Sequence, residues 1–379
     1  MTQRFTIDGS EKLESGLAHL CDKTRDGVLS LIPSRKVHAL LLGGGYGRGE
    51  GGVLRLASGD APYNDLEFYL LLYGPDLLTC NRYNTSIAQL AETLTHIAGV
   101  EVEFKLLSLS KLQHSSVTMF YYDLVSGHRL VYGSESWLEN CEHHRAAHRI
   151  PLHEATRLLF NRCSGLLFSQ EKLTREQFTS EDADFVGRNL AKAKLAFGDV
   201  VLAMRNQYHW SCRERHKRLR KLQAEGSLQN FDWVLRFHEE GIDFKLHPVK
   251  NTSTRSDLGP RLQNLKECAA QLWLALESHR LGKKFSDLIS YSFDRTSKCP
   301  ETKPLRNCLI NARQFGVPAA LDTTYPRERL LASIPILLWH PDTISNPETL
   351  SFLQTQLRTS ARTYGDLVSS YKVFWNTYN

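Results

Sequence analysis

The sequence predicts an α+β protein: a mixed sheet flanked by helices in its N-terminal part, then a mostly α-helical C-terminal domain. Three observations lead there. Apolar runs of strand length recur at 37–42, 66–73 and 100–107. Glycines crowd directly behind the first of them. From Pro151 onward strand signals fade and long helical patterns take over.

Taken in order, residues 11–32 carry Leu13, Leu17, Leu20, Val28 and Leu31, the stripe of an amphipathic helix. Residues 37–42 are a short apolar run ending in three glycines, a buried strand entering a tight turn. Residues 51–63 read as a hairpin or loop insertion, and 66–73 as a second strand rich in leucine and aromatics. Ile87, Leu90, Leu94 and Ile97 give 84–98 a helical spacing, and 100–107 is a third strand. Helices are expected over 153–170, 180–207, 231–239, 258–281 and 349–379, with a polar loop at 251–257. A domain boundary is expected near 145–152, dividing the chain into domains 1–148 and 149–379.

Composition narrows the class. At 41% hydrophobic and 23% charged residues the chain has the balance of a soluble globular protein. No apolar run approaches the roughly 18 residues that cross a bilayer. The opening Met-Thr-Gln-Arg-Phe-Thr lacks the apolar stretch of a secretory signal, so no membrane partner and a cytoplasmic location are expected. The eight cysteines, at 21, 80, 141, 163, 212, 268, 299 and 308, include no CxxC pair, which argues against a zinc ribbon or redox motif. Residues 1–150 hold 14 Lys and Arg against 17 Asp and Glu, whereas the remainder holds 33 against 24. An acidic front half suits a bound metal, and a basic back half suits phosphates.

The chemistry concentrates in Gly44-Gly45-Tyr46-Gly47-Arg48-Gly49-Glu50 and the Asp65-Leu66-Glu67 that follows. A glycine turn behind a buried strand lets backbone N–H groups approach a phosphate closely. It is not a Walker loop, because no Gly-Lys-Ser/Thr ends it, nor a dinucleotide fingerprint, because no acid closes a following βα unit. Asp65 and Glu67 stand at i and i+2, so a strand places both on one face. Adjacent carboxylates repel unless a divalent cation lies between them. Glu101 and Glu103 repeat the i, i+2 spacing on the next strand.

These residues resemble the nucleotidyltransferase fold of the DNA polymerase β superfamily, in which a strand, a glycine turn, an Asp-x-Asp or Asp-x-Glu pair and a later single acid follow in that order. The string at 44–50 is similar to that of the bacterial uridylyltransferases that modify the nitrogen-regulatory signal protein. The likeness spans residues 37 to about 133. It departs in the longer gap between Glu50 and Asp65 and in Glu67 standing where an Asp is usual.

The resemblance implies an N-terminal nucleotidyltransferase-type sheet in which Gly44 and Gly45, with Tyr46 beside them, hold a triphosphate. It further implies that Asp65 and Glu67 bind Mg²⁺ or Mn²⁺, and that Glu103 is the third acid, as metal ligand or general base. Arg48 would pair with a phosphate. Helical domains of such enzymes often lend a lysine to the triphosphate, which here points to Lys192 or Lys194. Residues 123–127 and 130–133 look like the closing strand region of minimal members.

Two further clusters have plainer readings. Cys141, His143, His144 and His148 form one local stretch, expected as a solvated interdomain linker instead of a zinc site. Six Lys and Arg within 213–221 are expected as a solvated helix face, with polynucleotide binding as the sharper alternative.

The expected function is transfer of an NMP from an NTP such as ATP to an acceptor hydroxyl on a protein, small molecule or RNA end, with release of pyrophosphate. The alternatives are a nucleotide-binding regulator without turnover, or a nucleic-acid-binding protein acting through its basic half.

Overall fold

The computed structural model describes residues 4–74 and 76–378; the side chains of 76–81, Cys80 among them, lie outside the described set. Along the chain come α1 (Glu11–Leu31), β1 (Val37–Leu42), α2 (Gly44–Gly47), β2 (Val53–Leu56), β3 (Gly59–Pro62) and β4 (Leu66–Leu72). Then follow α3 (Asp76–Ala98), β5 (Val102–Ser108), α4 (Leu109–His114), α5 (Met119–Ser126) and β6 (Arg129–Gly133). Beyond them the described elements are helical: α6 (Leu152–Thr174), α7 (Ser180–Met204), α8 (Cys212–Ala224), α9 (Trp233–Leu246) and α10 (Arg255–Leu281). They end with α11 (Leu288–Phe293), α12 (Pro304–Phe315), α13 (Pro326–Trp339), α14 (Pro347–Leu357) and α15 (Tyr364–Tyr378). The molecule is α+β, as expected.

The chain forms two compact units. The first comprises 1–151, 205–227 and 239–249; the second comprises 152–204, 228–238 and 250–379. The first cut thus falls close to the expected boundary. The simple division into 1–148 and 149–379 is corrected by two later segments that belong to the first unit.

In the first unit a four-stranded sheet runs in the order β5-β4-β1-β6. β1 pairs antiparallel with β4 and β6, whereas β4 and β5 are parallel and joined through α3. A parallel pair needs such a crossover. Leu40, Leu42, Phe68 and Leu70 pack on one side with Leu13, Leu17 and Val28 of α1 and Ile87 and Leu94 of α3. The alternate residues Ala39, Leu41, Tyr69 and Leu71 pack on the other side with Leu112 of α4 and Leu124 and Val125 of α5. Cover on both faces is why these strands read as continuous apolar runs.

The insertion is a hairpin, β2 paired with β3. The phenol of Tyr46 fastens it, donating to the Gly52 carbonyl at 2.8 Å and accepting from the Tyr63 amide at 2.9 Å. Residues 123–127 are corrected from strand to the end of α5. Thr118 caps that helix, and Tyr122, Leu124 and Val125 are buried in it, so the closing strand begins only at Arg129. The stretch 135–149 is corrected from solvated linker to packed 3₁₀ turns: His144 is fully buried and donates from Nε2 to the Leu112 carbonyl at 2.9 Å.

In the second unit the expected loop at 251–257 is shortened by a capping box, in which Thr254 and Asp257 start α10 at Arg255. The expected helix over 349–379 is two helices, broken where Arg358 takes φ +47°. A buried carboxylate, Glu277, is held by Arg280 at 2.6 Å, Tyr291 at 2.8 Å and Thr156 at 2.6 Å. No helix among the described residues is long and apolar enough to cross a membrane.

Candidate active site

The glycine turn is built by close approaches that only glycine allows. At Gly47 a Cβ would stand 2.0 Å from the Leu42 carbonyl, and at Gly43 it would strike the Tyr69 ring at 2.3 Å. Gly44 has φ +60°, and a Cβ there would sit 3.3 Å from the carboxyl carbon of Glu67. The Gly43 amide donates to the Glu67 carbonyl at 2.8 Å. Turn and acid are therefore neighbours in space, as their order in the sequence suggested.

A cavity of about 230 Å³ opens at this junction. Gly43, Gly44 and Arg48 line it from the turn, Glu67, Tyr69 and Lys105 from the strands, and Phe120 and Asp123 from α5. A recess of similar size, about 200 Å³, lies between α1 and the hairpin; Leu13, Leu17 and Ile97 are among its walls and Asp60 is its one acid. The acids and cations of the first cavity make it the candidate site.

The three predicted acids are placed as follows. Glu67 lines the cavity and accepts a hydrogen bond from the Tyr69 phenol at 2.6 Å. Glu103 is its register partner on the adjacent parallel strand, and ion-pairs with Lys105 at 3.8 Å. Asp65 is exposed, one residue before β4 begins. Partial burial lifts the Glu103 carboxyl above the usual carboxylate range, and the nearby charges of Glu101, Glu67 and Asp65 add to this against the pull of Lys105. An all-oxygen set of this kind suits a hard divalent cation in its donor chemistry. Among the described residues, however, no three such side chains are gathered into a ready ligand group.

The other expected nucleotide contacts divide. Gly44 lines the cavity, while Gly45 is packed 3.0 Å (from a notional Cβ) against the Glu50 carbonyl. Tyr46 is corrected from ligand contact to fold keystone: its side chain is buried, and burial pushes its phenol up to about 12. Arg48 borders the cavity but is corrected from a guanidinium open to phosphate. It donates to the Gly44 carbonyl at 2.8 Å and the Trp210 carbonyl at 2.9 Å, and pairs with Asp123 at 3.1 Å. Burial works against its charge, but Asp123 and Tyr208 hold the proton more tightly than usual. Lys192 and Lys194 lie on α7 in the second unit, with the Lys194 ammonium 5.7 Å from the centre of the Phe237 ring.

Glu50, the last residue of the motif, has an internal task. It is buried and accepts from the Ser211 hydroxyl at 2.5 Å and the Cys212 amide at 3.0 Å, with Lys245 at 3.6 Å. It thereby caps the start of α8, where anionic charge is favoured. Burial opposes its ionisation, yet Lys245 and these hydrogen bonds prevail and hold the carboxyl at about 2.

The basic run on α8 is largely engaged within the protein. Arg215 is buried and donates to the Tyr208 phenol at 2.9 Å; Arg218 donates to the Gln207 carbonyl at 3.0 Å. Lys217, Arg220 and Lys221 pair with Glu214, Glu239 and Glu225.

Sequence reasoning missed Lys105, the exposed cation of the cavity, whose ammonium lies 5.6 Å from the centre of the Tyr69 ring. Its signal was present: it stands two residues after Glu103 on a strand and so shares its face. No protein-family model, curated protein or solved structure matches this chain.

Proposed function

We propose that the cavity binds a nucleoside triphosphate and transfers its nucleotidyl group to an acceptor hydroxyl, with Mg²⁺ or Mn²⁺ bound by Asp65 and Glu67. The observation that carries this reading is the meeting of Gly44 with Glu67, on a strand whose register partner is Glu103. Gly44 leaves room for a phosphate oxygen beside an acid, an approach that a side chain would close. Lys105 adds a cation to the same cavity. Glu103, with its raised proton affinity, is suited to take the proton of the acceptor hydroxyl. The bound cation would supply charge neutralisation of the phosphates. The nucleotidyltransferase-type fold and the cytoplasmic location belong to this same proposal.

The test is pyrophosphate release from each NTP with Mg²⁺ or Mn²⁺, in the presence of cell extract as the source of acceptor. Glu67→Gln and Asp65→Ala should each lower the rate by roughly a hundredfold or more. A rate unchanged in both variants would sink the proposal. The Tyr69–Glu67 hydrogen bond and the ungathered acids support a second reading, a nucleotide-binding regulator. It predicts nucleotide binding that survives both substitutions without any pyrophosphate release.

A further inference from the structure

Helix α12, in the second unit, is turned inside out. Asn307 and Asn311 are its buried residues, while Leu305 and Leu309 are 83% and 73% exposed. The following turn continues the pattern, with Val317 84% and Leu321 92% exposed. The inward face is fixed by hydrogen bonds. Asn307 donates to the Thr323 carbonyl at 2.9 Å, and Asn311 donates to the carbonyls of Asp322 and Thr324, both at 2.8 Å. Rolling the helix to bury its leucines would orphan those carbonyls, which is costly for buried groups. The leucines are thus held outward by the polar side of their own helix.

The charge around them has one sign. Residues 302–321 contain Lys303, Arg306 and Arg313, all exposed, and no Asp or Glu. At 100° per residue, Arg306 and Arg313 lie together along one side of the Leu305–Leu309 stripe. The acids at either end are already matched: Glu301 with Arg280 at 3.8 Å, and Asp322 with Arg329 and Arg358. Apolar side chains standing mostly in solvent beside exposed cations mark an interaction surface.

We propose that this face docks the protein peripherally onto an anionic lipid surface. The leucines and Val317 would enter the headgroup–acyl boundary while Lys303, Arg306 and Arg313 meet the lipid phosphates. Projecting side chains, not a groove, and an unbroken positive sign favour a lipid surface over a protein partner. This departs from the expectation of no membrane partner, which rested on the lack of a spanning segment; attachment here is to the surface.

The full-length chain is to be sedimented with vesicles of phosphatidylcholine alone and of phosphatidylcholine mixed with phosphatidylserine. It should bind the mixed vesicles in preference, and high salt should weaken the binding. The variant L305Q/L309Q should lose about tenfold or more in vesicle affinity, since each leucine contributes apolar burial. Its thermal melting should be unchanged, because both positions are exposed. Equal binding to both vesicle types, or by the double variant, would overturn the proposal. So would self-association in vesicle-free buffer that L305Q/L309Q abolishes, which assigns the face to a second copy.

Discussion

Glu50 shows how a residue can stand in a legible motif while its task is not legible. Its position in a glycine-rich string marked it, but its partners at 211–213 and Lys245 lie about 160 and 195 residues away in sequence, beyond any local pattern. Gly44 and Glu67 were legible because the constraint on each is local: a tight turn and a strand parity. Lys105 was signalled only by its parity with Glu103, and its place in the cavity depends on how its strand pairs with β4. The Glu50 environment sets a measurable linkage. Its folded pKa is depressed to about 2 from the ordinary value of 4.5, so its stabilisation is complete above the unfolded value and lost as pH falls through the folded one. At neutral pH this amounts to about 3 kcal/mol. Glu50→Gln should therefore be markedly less stable than the wild type in urea at pH 7, and the gap should close between pH 5 and about pH 2. A gap that stays constant across that window would show that the charge contributes nothing.

At the scale of elements, periodicity located most strands and helices because their burial is one-sided or complete. It failed where apolar content and secondary structure part company. Residues 123–127 were expected in the closing strand region, yet a Thr118 cap and the burial of Tyr122, Leu124 and Val125 go with a helix over Met119–Ser126. The break at Arg358 left no glycine or proline as a marker. The hairpin β2–β3 was foreseen as a hairpin or loop insertion, and the Tyr46 phenol is one of its attachments. Tyr46→Phe leaves a buried carbonyl and a partly buried amide without that partner, a loss of about 1–3 kcal/mol. Hydrogen exchange should then quicken at the Tyr63 amide more than at the amides of β1. Unchanged protection at Tyr63 would refute the keystone role.

For the molecule as a whole, the sequence conveyed two units and the nearer boundary, because strand signals stop where helical ones begin. The return of 205–227 and 239–249 to the first unit was not legible: α8 and the second half of α9 look like their helical neighbours in composition. What marks them is their buried pairing with Arg48, Glu50 and Asp123. A fragment ending at Pro151 leaves Arg48 and Asp123 only each other and strips Glu50 of Lys245, Ser211 and Cys212, and a buried charge left alone costs about 3–5 kcal/mol. Such a fragment should lack a cooperative thermal transition, as read by near-ultraviolet circular dichroism. A sharp two-state melt from residues 1–151 alone would show that the sheet stands without the returning segments.

The span between Arg48 and the Trp210 carbonyl, 162 residues, has a consequence for biosynthesis. At roughly 5–20 residues per second, the ribosome delivers Trp210 some 8–30 s after Arg48. For that interval Glu50 of the nascent glycine turn lacks its cation, Lys245, and Arg48 has Asp123 but not the Trp210 carbonyl. The earliest-made part of the cavity is thus among the last to settle, and its assembly belongs to the end of translation.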